Sequence, residues 1–225
     1  MREIILDTET TGLNPHTGDR LVEIGCVELD NHVPTGNTYH QYVNPERGMP
    51  DEAFVVHGLS EAFLAMQPIF SEVADNFLEF IGNSNLVIHN AKFDMGFINS
   101  ELDRLGRSTL DFSRAIDTVQ IARSKYPGAQ ASLDALCRRF EIDLSARTKH
   151  GALLDAELLA DVYLELIGGR QPGFELAAER KVSAANTAEK KASAARPPRP
   201  HVAPENERAD HNDFMQQITD PIWRK

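Results

Sequence analysis

Apolar positions in the first 170 residues follow two periods, and the change between them sets out the elements. Residues 3–6, 21–29 and 39–43 read as strands. The second of these alternates Leu21, Glu23 and Gly25 with Val22, Ile24 and Cys26, as two faces of a pleated strand require. Asn14, Pro15, Gly18 and Asp19 mark a turn between the first two strands. From residue 71 the period lengthens: Val73, Ala74, Phe77, Leu78 and Ile81 recur at helical spacing, with Ser71 as the predicted N-cap. Residues 85–89 read as a short buried strand, and 93–105, 117–126, 132–140 and 152–167 as helices. Three leading strands followed by strands and helices in alternation predict an α/β fold, a mixed sheet flanked by helices.

Past residue 170 both periods vanish. Among residues 177–213 the only aliphatic side chains larger than Ala are Val182 and Val202. Such a stretch buries too little apolar area to offset its ordering entropy, so it is expected to be a disordered linker. Phe214, Ile218, Ile222 and Trp223 restore large apolar residues, and residues 214–225 read as a tail that orders on a partner. The expected organisation is therefore a folded domain over 1–170, a junction peptide at 171–176, a linker over 177–213 and the tail. Of the 225 residues, positions 1–171 hold 14 basic against 26 acidic side chains, and the remainder 9 against 8, so the acidity belongs to the folded part. That balance argues against a basic nucleic-acid-binding face, unless the acids gather round bound cations or a partner holds the nucleic acid. No apolar run approaches the roughly 20 residues that span a bilayer, and the start of the chain lacks a secretory pattern. A cytoplasmic protein without membrane contact is expected, with Cys26 and Cys137 as buried thiols.

Three clusters carry candidate chemistry. The first strand runs into Asp7-Thr8-Glu9-Thr10-Thr11-Gly12, where side chains two apart share a face, so Asp7 and Glu9 project together. Paired carboxylates repel unless a cation sits between them, and hard oxygen ligands suit Mg²⁺ or Mn²⁺. The second cluster is His89-Asn90-Ala91-Lys92-Phe93-Asp94, at the end of a strand and the opening of a helix. The third is His150-Gly151-Ala152-Leu153-Leu154-Asp155, with His150 on a loop and Asp155 in the first helical turn. Each also has an ordinary reading: acids that end a strand, an acid favoured by a helix N-terminus, a loop histidine near an acid.

In order and spacing the three clusters resemble the three motifs of the DEDD exonucleases, in the branch with His in the third motif. Residues 51–59, Asp-Glu-Ala-Phe-Val-Val-His-Gly-Leu, are similar to a further segment of the members that proofread for bacterial DNA polymerase III. The resemblance covers residues 2–167 and implies a ribonuclease-H-like fold. It also implies a 3′-5′ exonuclease releasing 5′-mononucleotides from DNA ends, with RNA trimming as the alternative activity. By the same resemblance, Asp7, Glu9, Asp94 and Asp155 would hold two Mg²⁺ or Mn²⁺ ions and His150 would be the general base. Glu52 and His57 would contact the nucleotide, together with the metal-holding Asp7, Glu9 and Asp155. Residues 171–176, Gln-Pro-Gly-Phe-Glu-Leu, resemble the short peptide by which replication proteins bind the sliding clamp. The tail would then meet the catalytic subunit of DNA polymerase III, and tethering to a partner that grips the primer would answer the charge objection.

Overall fold

The computed structural model describes residues 1–145, 147, 149–168 and 204–217. The chain divides into two units, Met1–Phe174 and Glu175–Lys225. In the first, five strands form one sheet: β1 (Arg2–Thr10), β2 (Leu21–Asp30), β3 (Val33–Tyr42), β4 (Asn85–Ile88) and β5 (Ala115–Asp117), in the order β3-β2-β1-β4-β5. β1 pairs antiparallel with β2 and parallel with β4; β2–β3 is antiparallel and β4–β5 parallel. The mixed sheet expected from the sequence is thus present, with β1 at its centre.

The unbroken apolar run Ile4-Ile5-Leu6 follows from that central place, because a strand covered on both faces has no polar side to alternate with. Ile4 and Leu6 pack with Phe70, Phe77 and Met95 on one face, and Ile5 with Leu136, Leu159 and Val162 on the other. The first face is covered by α3 (Phe70–Ile81) and α4 (Ala91–Arg104). The second is covered by α5 (Thr118–Lys125), α6 (Leu133–Arg139) and α7 (Ala152–Leu166).

Several boundaries differ from the sequence reading. β3 begins at Val33 rather than 39, since Asn31 and His32, both with positive φ (50° and 67°), close a two-residue hairpin directly onto β2. Its first half is exposed and carries Pro34, so it lacks the apolar signature of a covered strand. Ser71 is not the cap of α3. The helix starts one residue earlier at Phe70, and the Ile69 amide donates to the Glu72 carboxylate at 3.2 Å. Asp117 and Ser132 cap α5 and α6, accepting from the amides of Val119 and Ala135. Two short helices, Asp51–His57 (α1) and Glu61–Leu64 (α2), and the three-residue β5 had no counterpart in the periodicity.

In the second unit the described residues form a helix, Glu205–Gln217 (α8), with Glu205 and Glu207 in its first turn, where acids favour helix starts. It crosses the expected linker-to-tail boundary at 213, because thirteen mostly polar residues satisfy backbone hydrogen bonding without an apolar face. The junction peptide 171–176, most of the linker and residues 218–225, including Ile218, Ile222 and Trp223, lie outside the described residues. None of the described helices is long and apolar enough to cross a membrane.

Candidate active site

The site is assembled at the C-terminal end of β1. Asp7 and Glu9 fall at alternate positions on the face that α7 covers, in register with Gly25 and Glu23 of β2. Gly25 decides how closely that helix approaches. A Cβ there would lie 2.2 Å from the carbonyl carbon of Ala152 and 2.3 Å from the amide nitrogen of Leu153. Only a residue without a side chain allows the first turn of α7 to rest on the strand. That turn carries Asp155, which is 3% exposed.

Asp94 arrives from the opposite face, in the first turn of α4, and accepts a hydrogen bond from the Thr8 hydroxyl at 2.7 Å. It is 2% exposed and so is not an ordinary surface cap. His150 stands on the loop before α7; its amide donates to the Val56 carbonyl of α1 at 3.3 Å, which ties that loop to a helix the sequence periodicity did not reveal. One ligand atom from each of Glu9, His150 and Asp155 lies within 4.8 Å of the others. Asp7 lines a cleft of about 310 Å³ with His150, Asp155, His89, Asp134 and Arg147. Glu9, His150 and Asp155 are thus within reach of one another, with Asp7 in the adjoining cleft and Asp94 tied to the same strand through Thr8.

Their electrostatics are those of a site short of positive charge. Burial, and then Asp94, Glu9 and Asp155, hold the Asp7 carboxyl well above the usual range. Glu9 is pushed up to about 8 by burial, followed by Asp155 and Glu23. Asp94 is pushed up to about 7 by burial, against the Thr8 hydroxyl and backbone amides that favour its charge. Desolvated carboxylates that cannot all ionise together become fully charged only when a cation joins them. Oxygen donors with one imidazole fit a hard divalent ion.

A stability prediction follows. In the folded chain Glu9 and Asp94 keep protons that they lose near pH 4 when unfolded, so the folded state binds more protons across the interval between. The contribution of these two groups to the stability of the metal-free protein is expected to be full below about pH 4 and to be lost as pH rises through about 7 to 8. Melting curves in chelator should drop by several degrees over that window, at about 2–4 °C per kcal/mol for a chain of this size. Added Mg²⁺ should remove the drop; a melting temperature that rises with pH in chelator would contradict the assignment.

Glu52 and His57 lie on α1 and line a neighbouring cavity of about 530 Å³ with Glu9, Thr10, Thr11, Leu13 and Phe93. His57 Nδ1 accepts from the Leu59 amide at 3.0 Å, so the neutral ring carries its proton on Nε2. Burial lowers the His57 pKa and keeps the ring neutral. Nε2 is buried and makes no hydrogen bond of full geometry among the described residues, although the Thr10 backbone lies near enough to favour the charged ring.

Comparisons with known proteins give the family and the fold. The sequence model of the family described as Exonuclease matches residues 4–163. The chain is 56% identical over 179 residues to the DNA polymerase III subunit epsilon of Rickettsia felis, covering 78% of each chain. It is 49% identical over 176 residues to that of Escherichia coli, covering 75% of this chain and 72% of the relative. The chain belongs to the exonuclease family, with the DNA polymerase III epsilon subunits. Among solved structures, this exonuclease superposes with a TM-score of 0.59 on Exonuclease X in complex with 5′ overhanging duplex DNA, at 25% identity, over 75% of this chain and 92% of the other. It superposes with a TM-score of 0.66 on the nuclease domain of 3′hExo, a DEDDh member, at 19% identity, over 75% and 92% of the two chains. The latter supports the fold, which is the ribonuclease-H-like arrangement that the motifs implied. Like its family, this exonuclease is a hydrolase.

Some residues of the site had no signal in the sequence. Arg147 and Asp134 reach it from a loop and from α6, and nothing in their spacing to the acids announces that. The closeness of Gly25 to α7 depends on packing between elements 127 positions apart, from Gly25 to Ala152. A glycine inside a buried strand is the one hint that another backbone approaches there.

Proposed function

We propose that this exonuclease removes 5′-mononucleotides from DNA 3′ ends, proofreading for the catalytic subunit of DNA polymerase III. The observation that carries this reading is the grouping of Glu9, His150 and Asp155 with Asp7 in the adjoining cleft and Asp94 close enough to act on the Asp7 charge, beside a cavity lined by Glu52 and His57. Asp7, Glu9 and Asp155 would hold one Mg²⁺ or Mn²⁺, and Asp7 with Asp94 a second. When bound, such ions activate a water and stabilise the leaving 3′ oxygen. The protein's own contributions are separable. Thr8 fixes the Asp94 carboxylate, and Gly25 lets α7 bring Asp155 to the strand. His150, 49% exposed at its side chain and lining the cleft, would accept the proton of the attacking water. Glu52 and His57 would hold the terminal nucleoside, His57 through its Nε2 hydrogen.

In this reading the site takes a single strand, and a frayed end supplies one where a paired end does not. A primer with a mismatched 3′ terminus should therefore be shortened faster than a matched one in Mg²⁺, and neither should be shortened in chelator. His150→Ala should slow release roughly 10²–10⁴-fold, the usual worth of a general base. Faster digestion of RNA than of DNA would favour the trimming alternative instead.

The partner reading rests on the C-terminal unit. Deleting residues 210–225 should weaken binding to the polymerase catalytic subunit and leave hydrolysis of free single strands unchanged; unaltered affinity would end that assignment. The clamp-binding reading of residues 171–176 is tested in the same way, by replacing Phe174 and measuring binding to the clamp. A tether of either kind raises the local concentration of primer ends, so the acidic folded unit needs no basic groove of its own.

A further inference from the structure

Arg147 enters the carboxylate cluster from the loop before α7. Its guanidinium grips Asp155 with both prongs, Nε to Oδ1 and Nη2 to Oδ2, each at 2.6 Å. Nη2 also lies 2.8 Å from His150 Nδ1, and Nη1 donates to Asp134. The Arg147 side chain is 9% exposed and that of Asp155 4%, whereas Asp134 is 41% exposed and pairs as well with Arg138 at 3.6 Å. The cation is thus shared between a buried acid that faces Glu9 and an outer acid that faces solvent. We propose that Arg147 is an internal counter-ion that competes with the divalent ion for Asp155, and that Asp134 is the seat to which its guanidinium turns when the ion enters. This rests on the metal reading given above.

Two features of the geometry support it. A bidentate guanidinium satisfies both oxygens of Asp155, and two cations on one buried carboxylate repel in a medium that screens poorly. Asp134 already holds one prong, so a turn about the outer end of the side chain frees Asp155 without exposing an unpaired charge. The same contact governs His150. While Nη2 donates to Nδ1, the ring of a neutral His150 must carry its hydrogen on Nε2 and cannot accept a proton there. Once Arg147 withdraws, Nδ1–H can donate to Asp155 Oδ2, 3.2 Å away, and Nε2 becomes the acceptor that a general base needs. Arg147 is in these terms a positioning residue: it covers the site without an ion and releases acid and base together.

The test is calorimetric titration of Mn²⁺ into the full-length protein and its Arg147→Gln, Asp134→Asn and double variants, at one pH and low salt. Arg147→Gln should bind Mn²⁺ about tenfold more tightly than the parent. Asp134→Asn should bind severalfold more weakly, and the double variant should match Arg147→Gln, because Asp134 acts only through the guanidinium. Nitrogen NMR of the His150 ring should show the hydrogen moving from Nε2 to Nδ1 in Arg147→Gln without metal. Circular dichroism in chelator gives the folded fraction to which binding is referred; equal or weaker binding per folded molecule of Arg147→Gln would overturn the competition, and Arg147→Lys, which keeps the charge but loses the fork, should fall between the two. An Asp134→Asn effect that persists in the double variant would overturn the role of Asp134. Absence of Mn²⁺ binding by all four proteins would overturn the metal reading itself, and this inference with it.

Discussion

Asp7→Asn is expected to lower nucleotide release from a 3′ end by about 10³-fold or more and, at the same time, to stabilise the metal-free protein. The two effects have one cause. Asp7 is half-buried in the cleft near Asp94, Glu9 and Asp155, and its charge is opposed by all three as well as by desolvation. Removing that charge relieves the folded state in the absence of a cation, while depriving the site of the carboxylate shared by both ions in the proposed mechanism. Activity and stability should move in opposite directions, as they do where a site holds strained charge for function. Nucleotide release in Mg²⁺ and melting in chelator measure the two halves. A variant that loses activity and melts earlier would show that Asp7 serves the fold rather than an ion.

The second large effect is expected at a residue with no functional group. Gly25→Ala places a Cβ within 2.3 Å of the backbone of Ala152 and Leu153, atoms that cannot turn aside as the end of a flexible side chain can. Either α7 moves off the sheet or β2 bends. The steric cost is on the order of 3 kcal/mol, the upper part of the range for overpacking a well-filled interior. A shift of about 1 Å in Asp155 relative to Asp7 should cost about 10²-fold in rate even where the protein folds. Mg²⁺-dependent stabilisation, measured by melting with and without the ion, should shrink in the same variant. Full activity in Gly25→Ala would mean that the approach of α7 does not set the position of Asp155.

These two residues also show what the sequence discloses and what it withholds. Asp7 was visible because its information is local: an apolar run turns polar at alternating positions, and a strand of period two puts Asp7 and Glu9 on one face. Asp94, Asp155 and His150 were visible only through the order and spacing of motifs, since each alone passes for a helix-start acid or a loop histidine. The sheet was legible for the same local reason, except where a strand is exposed on the edge, as in residues 33–38, or is three residues long, as in β5. Short helices such as α1 were not legible, because seven residues offer too few turns to establish a stripe, although this helix carries Glu52 and His57. Arg147, Asp134 and the contact at Gly25 depend on packing between distant elements, and no period along the chain encodes it.

The central claim is that the acids of three separate segments share divalent ions at the end of β1. A crystal structure of the full chain grown in Mn²⁺, with anomalous scattering recorded for manganese, tests it most directly. The account predicts a peak at ordinary coordination distance, about 2.2 Å, from carboxylate oxygens of Asp7, Glu9 and Asp155, with a second bordered by Asp7 and Asp94. No peak among these side chains, or one held elsewhere with Asp155 still clamped by Arg147, would contradict it.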